Sequence, residues 1–341
     1  MPRYEIRAAG KDDEDSLLEL ARLLNTVNLP NDRTHVAELL DHSEKSFSGA
    51  IADPRERRYV FLVWDRKHQR AVGTSLIVAQ LGKPRAPYIY FDVLSEEKYS
   101  HRRDIHFHHT VLRLGFSYKG PTEIGGLVVH PDYRLSKERL GQLISYVRFV
   151  YMAIHRELFQ KEVLAELLPP LERDGTSHLW EALGWHFTHM SYAEADLLSS
   201  RDKTFVRDLF PRGVIYASLL SSDAQAVIGK VGAQTRGVEK MLRRIGFRYA
   251  ERIDPFDGGP HFMADLNEVS LVRDTQRARI GSPITEARCR RGLVARELAS
   301  PPYFRAIVAQ FETHGATLHL EPALLEHLEL SQGDEVWYLP L

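Results

Sequence analysis

The spacing of apolar positions predicts a chain that alternates between strands and helices. Leucines recur on helical spacing near the amino terminus, whereas two later β-rich runs are separated by a polar turn of about four residues, which is typical of a β-hairpin. In this first part of the chain, strands are predicted over Tyr4–Ala8, Arg58–Asp65, 71–80 and 88–93, and helices over 12–24 and 33–45.

Residues 122–144 contain the most distinctive part of this pattern. An apolar run of strand length, Thr122–Val129, precedes a polar loop, and a helix with apolar periodicity is predicted over 140–156. In a unit of strand, loop and helix, the backbone N–H groups of the loop and the positive end of the helix can hold a phosphate. A buried run over 163–168 follows.

The second half of the chain predicts short helices and strands, then a change after the break at 281–283. Residues 257–260, Asp-Gly-Gly-Pro, predict a tight turn. Helices are predicted over 177–183, 238–245 and 322–328, and strands over 186–192, 247–253, 292–296, 304–311, 316–320 and 336–339. We therefore expect a mixed α/β protein with one domain over 1–280 and a small β-rich domain over 284–341.

The composition narrows the classes of partner. The 341 residues include 45 Lys and Arg against 46 Asp and Glu, so no overall basic field attracts nucleic acid. No apolar run reaches the roughly 18 residues of a membrane span, and the amino terminus is too polar for a signal peptide. The single cysteine, Cys289, excludes an internal disulfide. We expect a cytoplasmic protein with no nucleic-acid or membrane partner.

A histidine-rich segment raises the question of a metal. Residues 101–109, HRRDIHFHH, hold four of the sixteen histidines. In an extended segment His106 and His108 would share a face. No carboxylate or cysteine stands at ligand spacing from them in the sequence. We therefore expect surface or substrate-cleft histidines and no metal.

Short blocks spread over nearly the whole chain carry a family resemblance. They lie at 29–30, 46–49, 122–134, 180–187, 193–196, 224–229, 246–249, 256–260, 292–295 and 333–336. Together they resemble the arginine N-succinyltransferase family, which belongs to the GNAT-like superfamily of acyl-CoA-dependent N-acyltransferases. The resemblance implies an α/β (α+β) GNAT-like acyl-CoA N-acyltransferase fold with a small C-terminal β-rich domain.

The same resemblance implies a reaction and a set of site residues. Succinyl-CoA would donate a succinyl group to the α-amine of L-arginine, in the first step of an ammonia-producing route of arginine breakdown. The chain would form a homo- or hetero-oligomer with homologous subunits. The implied acyl-CoA site consists of Leu127, Val128, Val129, Arg139, Leu140 and Gly141, and the implied substrate site consists of Asp257, Gly258, Gly259 and His186.

The loop departs from the superfamily pattern. That pattern reads Arg/Gln-x-x-Gly-x-Gly/Ala, whereas residues 136–141 read Ser-Lys-Glu-Arg-Leu-Gly and keep only the final glycine. Arg139 stands at the place of the first glycine, which removes the closest approach of the backbone to the ligand. Its guanidinium and the Lys137 ammonium can still pair with phosphate oxygens.

The proton-transfer histidine of the family is also absent, because Gly232 occupies its place. Either another group transfers the proton, or the chemistry is lost, or the histidine was never essential. The rival functions are a non-catalytic binding or partner subunit and an acyltransferase with a different acyl donor or amine. Glu123 is the replacement candidate, since several GNAT-like enzymes carry a general-base glutamate at this strand position; the alternative is a glutamate held in a salt bridge. His186, His189 and His261 are further candidates for proton transfer.

Asp257 is the candidate for binding a guanidinium. It stands in the Asp-Gly-Gly-Pro turn, whose glycines permit positive φ or a close approach of ligand to backbone. The alternative is a carboxylate that caps the turn through its own backbone.

Overall fold

The structure is a computed structural model that describes residues 2–23, 29–172, 175–199, 201–284 and 290–341. Cys289 lies outside the described residues. Among the described helices, none combines the length and the apolar character that crossing a bilayer requires.

Runs of consecutive strands are interspersed with helices along the described chain. The strands are β1 (Tyr4–Ala8), β2 (Arg58–Asp65), β3 (Arg70–Val78), β4 (Tyr88–Ser100), β5 (Ile105–Ser117), β6 (Thr122–Val129), β7 (Glu162–Glu166), β8 (Val214–Tyr216), β9 (Arg248–Ile253), β10 (Pro260–Asp265), β11 (Gln276–Ile280), β12 (Arg290–Glu297), β13 (Phe304–His314), β14 (Thr317–His319) and β15 (Glu335–Pro340). The helices are α1 (Glu14–Ala21), α2 (Arg33–Phe47), α3 (Leu140–Ile154), α4 (Trp185–Thr188), α5 (Tyr192–Ser199), α6 (Thr204–Leu209), α7 (Ser222–Val227), α8 (Arg236–Arg244), α9 (Ser270–Asp274) and α10 (Pro322–His327).

The first compact unit comprises residues 1–80, 122–161 and 265–341. Its strands follow the order β12-β15-β11-β14-β13-β1-β2-β3-β6, and β12 also pairs with β13, so the carboxyl-terminal strands close into a small ring. Apolar side chains such as Ile307, Phe311 and Val336 fill that ring. An aromatic cluster that includes Phe61, Tyr151 and Phe304 is buried between the sheet and α3.

The second compact unit comprises residues 81–121 and 162–264. Its strands follow the order β7-β10-β9-β4-β5-β8, and β4 and β5 form a long antiparallel hairpin. Short helices cover this sheet around Trp180, whose indole is fully buried and stacks on Phe256 with ring centroids 5.1 Å apart. Burial of large aromatic side chains gives this unit its own core.

The structure confirms several predicted elements and corrects others. β1, β2 and β6 begin and end at the predicted residues, whereas β4 extends to Ser100 and β5, β10 and β11 were not predicted. The predicted strand over 186–192 is wrong, because this segment is mostly helical. The predicted helix over 177–183 was expected to end at Gly184, but this residue has a helical φ of −61°. An added Cβ would lie 2.3 Å from the Trp180 ring. Glycine is needed there for packing, and the helix continues through it.

Candidate functional site

A β-bulge interrupts the candidate acyl-CoA strand, β6. Leu76 pairs with Gly125 and Thr74 with Val128, so two residues of β6, Gly126 and Leu127, lie opposite one residue of β3. Gly126 has a φ of +56°, and an added Cβ would lie 2.9 Å from the Leu76 side chain, so glycine is required. A bulge disrupts the hydrogen-bond ladder locally and leaves the extra residue unpaired. Leu127 therefore stands at an interruption of the β3–β6 ladder, which is the kind of position where backbone groups can meet a ligand.

The loop after β6 ends in a strained residue that begins α3. Arg139 is the N-cap residue, with φ +56° and ψ +52°, and its side chain makes no capping hydrogen bond. This left-handed conformation is the one that glycine adopts without steric cost. Its carbonyl accepts hydrogen bonds from the backbone N–H groups of Gln142, at 2.9 Å, and Leu143, at 3.2 Å.

The structure brings the predicted acyl-CoA residues together at the carboxyl end of β6. Leu140 is buried, and an added Cβ at Gly141 would lie 3.6 Å from Val129 Cγ2. The exposed side chain of Arg139 precedes a first helical turn that carries no acidic residue. A helix start with free N–H groups and a nearby guanidinium is suited to an anionic ligand such as a phosphate.

Glu123 is buried near the amino end of the same strand. Only 5% of its surface is exposed, and it lies directly opposite Val78 on β3. Arg58 on β2 also lies opposite Val78, so the two charged residues stand in one row across the sheet. Burial lowers the pKa of Arg58, and the negative charge of Glu123 opposes that shift. This row fits the charge-paired alternative, and the general-base role of Glu123 stays a prediction.

In the second unit, Gly232 is buried in a position that has no room for a side chain. Its backbone N–H donates to Leu168 O at 2.9 Å. An added Cβ would lie 2.6 Å from Pro169 O, closer than real Cβ contacts come. A side chain at this position would collide with the backbone of the 168–169 segment.

Asp257 caps the turn in which it stands. Its Oδ1 accepts a 2.7 Å hydrogen bond from the backbone N–H of Gly259, and Gly258 takes a φ of +82°. Burial raises the pKa of Asp257 well above its usual range, and the charges of Asp254 and Asp196 raise it further. The contact predicted by the capping alternative is present, and the guanidinium role stays a prediction.

Asp257 interacts with two half-buried carboxyls, Asp254 and Asp196, that the sequence pattern did not bring together. Burial and the charge of Asp254 raise the pKa of Asp196 to about 6. Burial likewise raises the pKa of Asp254, while the Lys203 ammonium opposes that rise. Because their negative charges raise one another's pKa values, these carboxyls do not all ionise readily without a compensating cation. Asp196 lies in the 193–196 block that contributes to the family resemblance, so the sequence pointed to this residue. No sequence pattern pointed to Asp254.

The three candidate histidines have different environments. His261 is fully buried, and its Nδ1 lies 2.9 Å from the Tyr88 hydroxyl. Burial lowers the pKa of His261 to about 3, so its imidazole is neutral. His186, on α4, is exposed, and its ring centroid lies 5.3 Å from that of Trp185. His189 follows α4 in a left-handed conformation.

A cationic pocket of about 520 Å³ is the other feature of this unit that sequence reasoning missed. It opens beside the segment that precedes Gly232, and α8 supplies much of its wall. The charged side chains in its lining are those of Lys230, Arg236, Glu239, Lys240 and Arg243. Four cations against one carboxylate favour an anionic ligand.

Comparison with known proteins decides the family. The sequence model described as arginine N-succinyltransferase beta subunit matches residues 4–271, and the model for the C-terminal domain of that subunit matches residues 276–340. The chain belongs to the arginine N-succinyltransferase family. An arginine N-succinyltransferase from Yersinia pestis is 30% identical over 342 residues, which cover 97% of this chain and 96% of the relative. Another from Citrobacter koseri is 31% identical, with 97% and 96% covered.

A solved structure of the family agrees with the fold. It is titled the arginine/ornithine succinyltransferase subunit AI from Pseudomonas aeruginosa, and it matches with a TM-score of 0.84 and 26% identity over 100% of this chain and 99% of its own. The predicted family, the mixed α/β class and the separate β-rich C-terminal domain are confirmed.

Proposed function

We propose that this chain transfers the succinyl group of succinyl-CoA to the α-amine of L-arginine. The match to arginine N-succinyltransferase family models over residues 4–271 and 276–340 carries the proposal. The bulged strand, the loop and the start of α3 support it, because they offer backbone donors and the side chains of Lys137 and Arg139 to the thioester and the phosphates of CoA.

In the proposed reaction the amine nitrogen attacks the thioester carbonyl. The new C–N bond forms as the C–S bond breaks, and the proton that the nitrogen loses on amide formation passes to the leaving CoA thiolate. Most of the amine is protonated at pH 7, so a base must first remove a proton. Glu123 is the proposed base, acting through a water molecule, because it is buried on the strand that holds the thioester and Gly232 has no side chain.

The cationic pocket and the buried carboxyls support the choice of substrates. A succinyl group carries a carboxymethyl extension that an acetyl group lacks, and the pocket lined by Lys230, Arg236 and Lys240 has the charge to bind its carboxylate. Arginine brings a guanidinium, which Asp257 and its neighbouring carboxyls would stabilise. Arg236→Gln and Lys240→Gln should reduce the preference for succinyl-CoA over acetyl-CoA, whereas Arg244→Gln, on the same helix but outside the pocket lining, should not.

Measuring CoA release from purified chain, succinyl-CoA and arginine tests the activity. We expect release above a heat-killed control and a loss of at least tenfold in Glu123→Gln, since general-base catalysis contributes at least about that much. Glu5→Gln is the matched control, because Glu5 is also a buried carboxylate, and its cationic partner, Arg305 Nε at 3.5 Å, lies outside the proposed site. No release with arginine, ornithine or lysine would refute the activity.

Two alternatives remain distinguishable in the same assay. Tight CoA binding by calorimetry without turnover would favour a non-catalytic partner subunit, and release with only another acyl-CoA or amine would favour a changed substrate. The solved relative is titled as a subunit, which supports an oligomer with copies or homologues of this chain. Light scattering after size-exclusion chromatography measures the mass of that assembly.

A further inference from the structure

The hairpin of β4 and β5 places two histidines and a glutamate on one face. Glu97 is directly opposite His108 in the antiparallel register, and Tyr99 is directly opposite His106. Opposite residues share a face of a sheet, as do residues two apart on one strand. Glu97, His106 and His108 therefore project to the same side. The sequence offered no carboxylate at ligand spacing, but the hairpin register supplies one from the neighbouring strand.

The distances among these three side chains match those of metal ligands. His106 Nε2 lies 3.6 Å from Glu97 Oε2, and His108 Nδ1 lies 3.5 Å from Glu97 Oε1. A tetrahedral zinc ion with bonds of about 2.0–2.2 Å separates its ligand atoms by about 3.3–3.6 Å. All three ligand atoms lie within 4.8 Å of one another, so an ion fits with small side-chain movements.

We propose that Glu97, His106 and His108 bind a divalent transition-metal ion such as Zn²⁺. Two imidazoles and a carboxylate are ligands that Zn²⁺ accepts, and three protein ligands leave a fourth position for water or another ligand. The side chains are exposed, Glu97 by 67% and His108 by 59%, so the ion reaches them directly from solvent. This site is independent of the proposed acyl transfer.

The surroundings orient the two histidines. The His106 and His108 rings lie side by side with centroids 4.6 Å apart, and Tyr99 contacts the His106 ring edge to face at 6.1 Å. The paired backbone of the hairpin fixes the positions of all three Cα atoms before any ion binds. Pre-organisation of this kind reduces the entropy lost on binding.

His109, on the same strand, is a control residue for the proposed histidine ligands. It is adjacent to His108 and therefore faces the opposite side of the hairpin, where its ring stacks on Phe107 at 5.9 Å. Removing His109 changes the histidine content of the segment without changing the proposed ligands.

A second group of metal-compatible side chains is a weaker candidate. Glu166, Asp254 and His261 also place their ligand atoms within 4.8 Å of one another. The positive charges of Lys203 and Arg252 act on His261 and help to lower its pKa. Two cations beside the ligands oppose the entry of a divalent cation, so the hairpin is the better site.

Titration of tag-free, chelator-stripped chain with Zn²⁺ by calorimetry tests the proposal. We expect one Zn²⁺ per chain, binding at least about tenfold weaker in His106→Gln and in His108→Gln, and unchanged binding in His109→Gln and Glu166→Gln. Mg²⁺ should not compete, because it prefers oxygen ligands. Circular dichroism should show the same fold in every variant.

Three results would overturn the site. They are no Zn²⁺ binding by the unchanged chain, equal binding by the double variant His106→Gln/His108→Gln, and loss of binding in Glu166→Gln instead. The last result would move the ion to the group around His261.

Discussion

Gly232 shows how a single position can carry both a functional and a structural constraint. Without a side chain this position supplies no group for proton transfer, and its backbone N–H reaches Leu168 O at 2.9 Å. A Gly232→His substitution is therefore not expected to supply a proton-transfer group, since the side chain would first have to displace Pro169.

Gly232→Ala tests this packing constraint directly. The added methyl would lie 2.6 Å from Pro169 O, so we expect the free energy of unfolding to fall by about 1–3 kcal/mol. Gly237→Ala is the control: Gly237 lies in α8 with no atom within 4 Å of an added Cβ, and alanine there should stabilise by about 0.5–1 kcal/mol. Urea unfolding of both variants measures the difference, and equal stabilities would contradict the packing argument.

The carboxyl of Asp196 predicts a pH dependence of stability. Its pKa is raised to about 6, so between about pH 4 and 6 the folded chain binds more protons at this group than the unfolded chain does. The protonated carboxyl of Asp196 therefore favours the folded chain at acidic pH, and this contribution to the free energy of unfolding is lost as the pH rises through 6. Asp196→Asn removes the ionisation, so it should gain about 1–2 kcal/mol relative to the parent between pH 5 and pH 7.5.

Urea unfolding of Asp196→Asn at both pH values checks this gain. The exposed Asp223, in the first turn of α7, provides the control variant Asp223→Asn, which should show no comparable change between the two pH values. A gain in Asp196→Asn that is the same at pH 5 and pH 7.5 would mean that Asp196 titrates normally.

The sequence could predict those strands and helices whose ends are marked by neighbouring residues in the chain. β1, β2 and β6 end at polar turns and match their predicted bounds, because alternation and turn residues are visible in a single stretch of sequence. β5 was missed because its first half, Ile105–His109, is almost entirely exposed, so no buried apolar face marks it in the sequence. The pairing of Glu97 with His108 depends on hairpin register, which the spacing in the sequence does not show.

The loop that joins β6 to α3 leads to a prediction about Arg139. Replacement by glycine relieves the left-handed conformation, so Arg139→Gly should stabilise the chain by about 1 kcal/mol. The same change removes a guanidinium from the proposed phosphate site, so CoA should bind at least about threefold more weakly. Gln69→Gly is the control, since Gln69 is also left-handed, with φ +50°, but lies in the turn between β2 and β3.

Urea unfolding and calorimetric titration with CoA separate the two effects at Arg139. Gln69→Gly should leave CoA binding unchanged. If Arg139→Gly binds CoA as tightly as the parent chain, the Arg139 guanidinium does not contact the phosphates, and the phosphate site must rely on the backbone of α3 alone.

At the scale of the whole molecule, the division into sequence domains and the division into compact units follow different boundaries. Family models match 4–271 and 276–340 separately, yet β13 of the second match pairs with β1, where Ile6 lies opposite Ala306. Phe304 is fully buried, and its ring lies 5.6 Å from Phe61 on β2 and 5.5 Å from Tyr151 on α3. Pairing and packing of this kind couple the carboxyl-terminal strands to the first sheet.

Phe304→Ala tests whether that coupling makes the first unit unfold as one. Removing a fully buried phenylalanine costs about 3–5 kcal/mol, and we expect faster hydrogen exchange in β2 and β3 as well as in β15. Phe311→Ala, whose ring packs on Tyr338 inside the small ring of strands, is the comparison. If both variants speed exchange only within 276–341, that domain opens independently. If both variants also speed exchange in β2, unfolding is cooperative across the β1–β13 ladder. The boundary near 276 between the two family models would then not separate two independently unfolding parts.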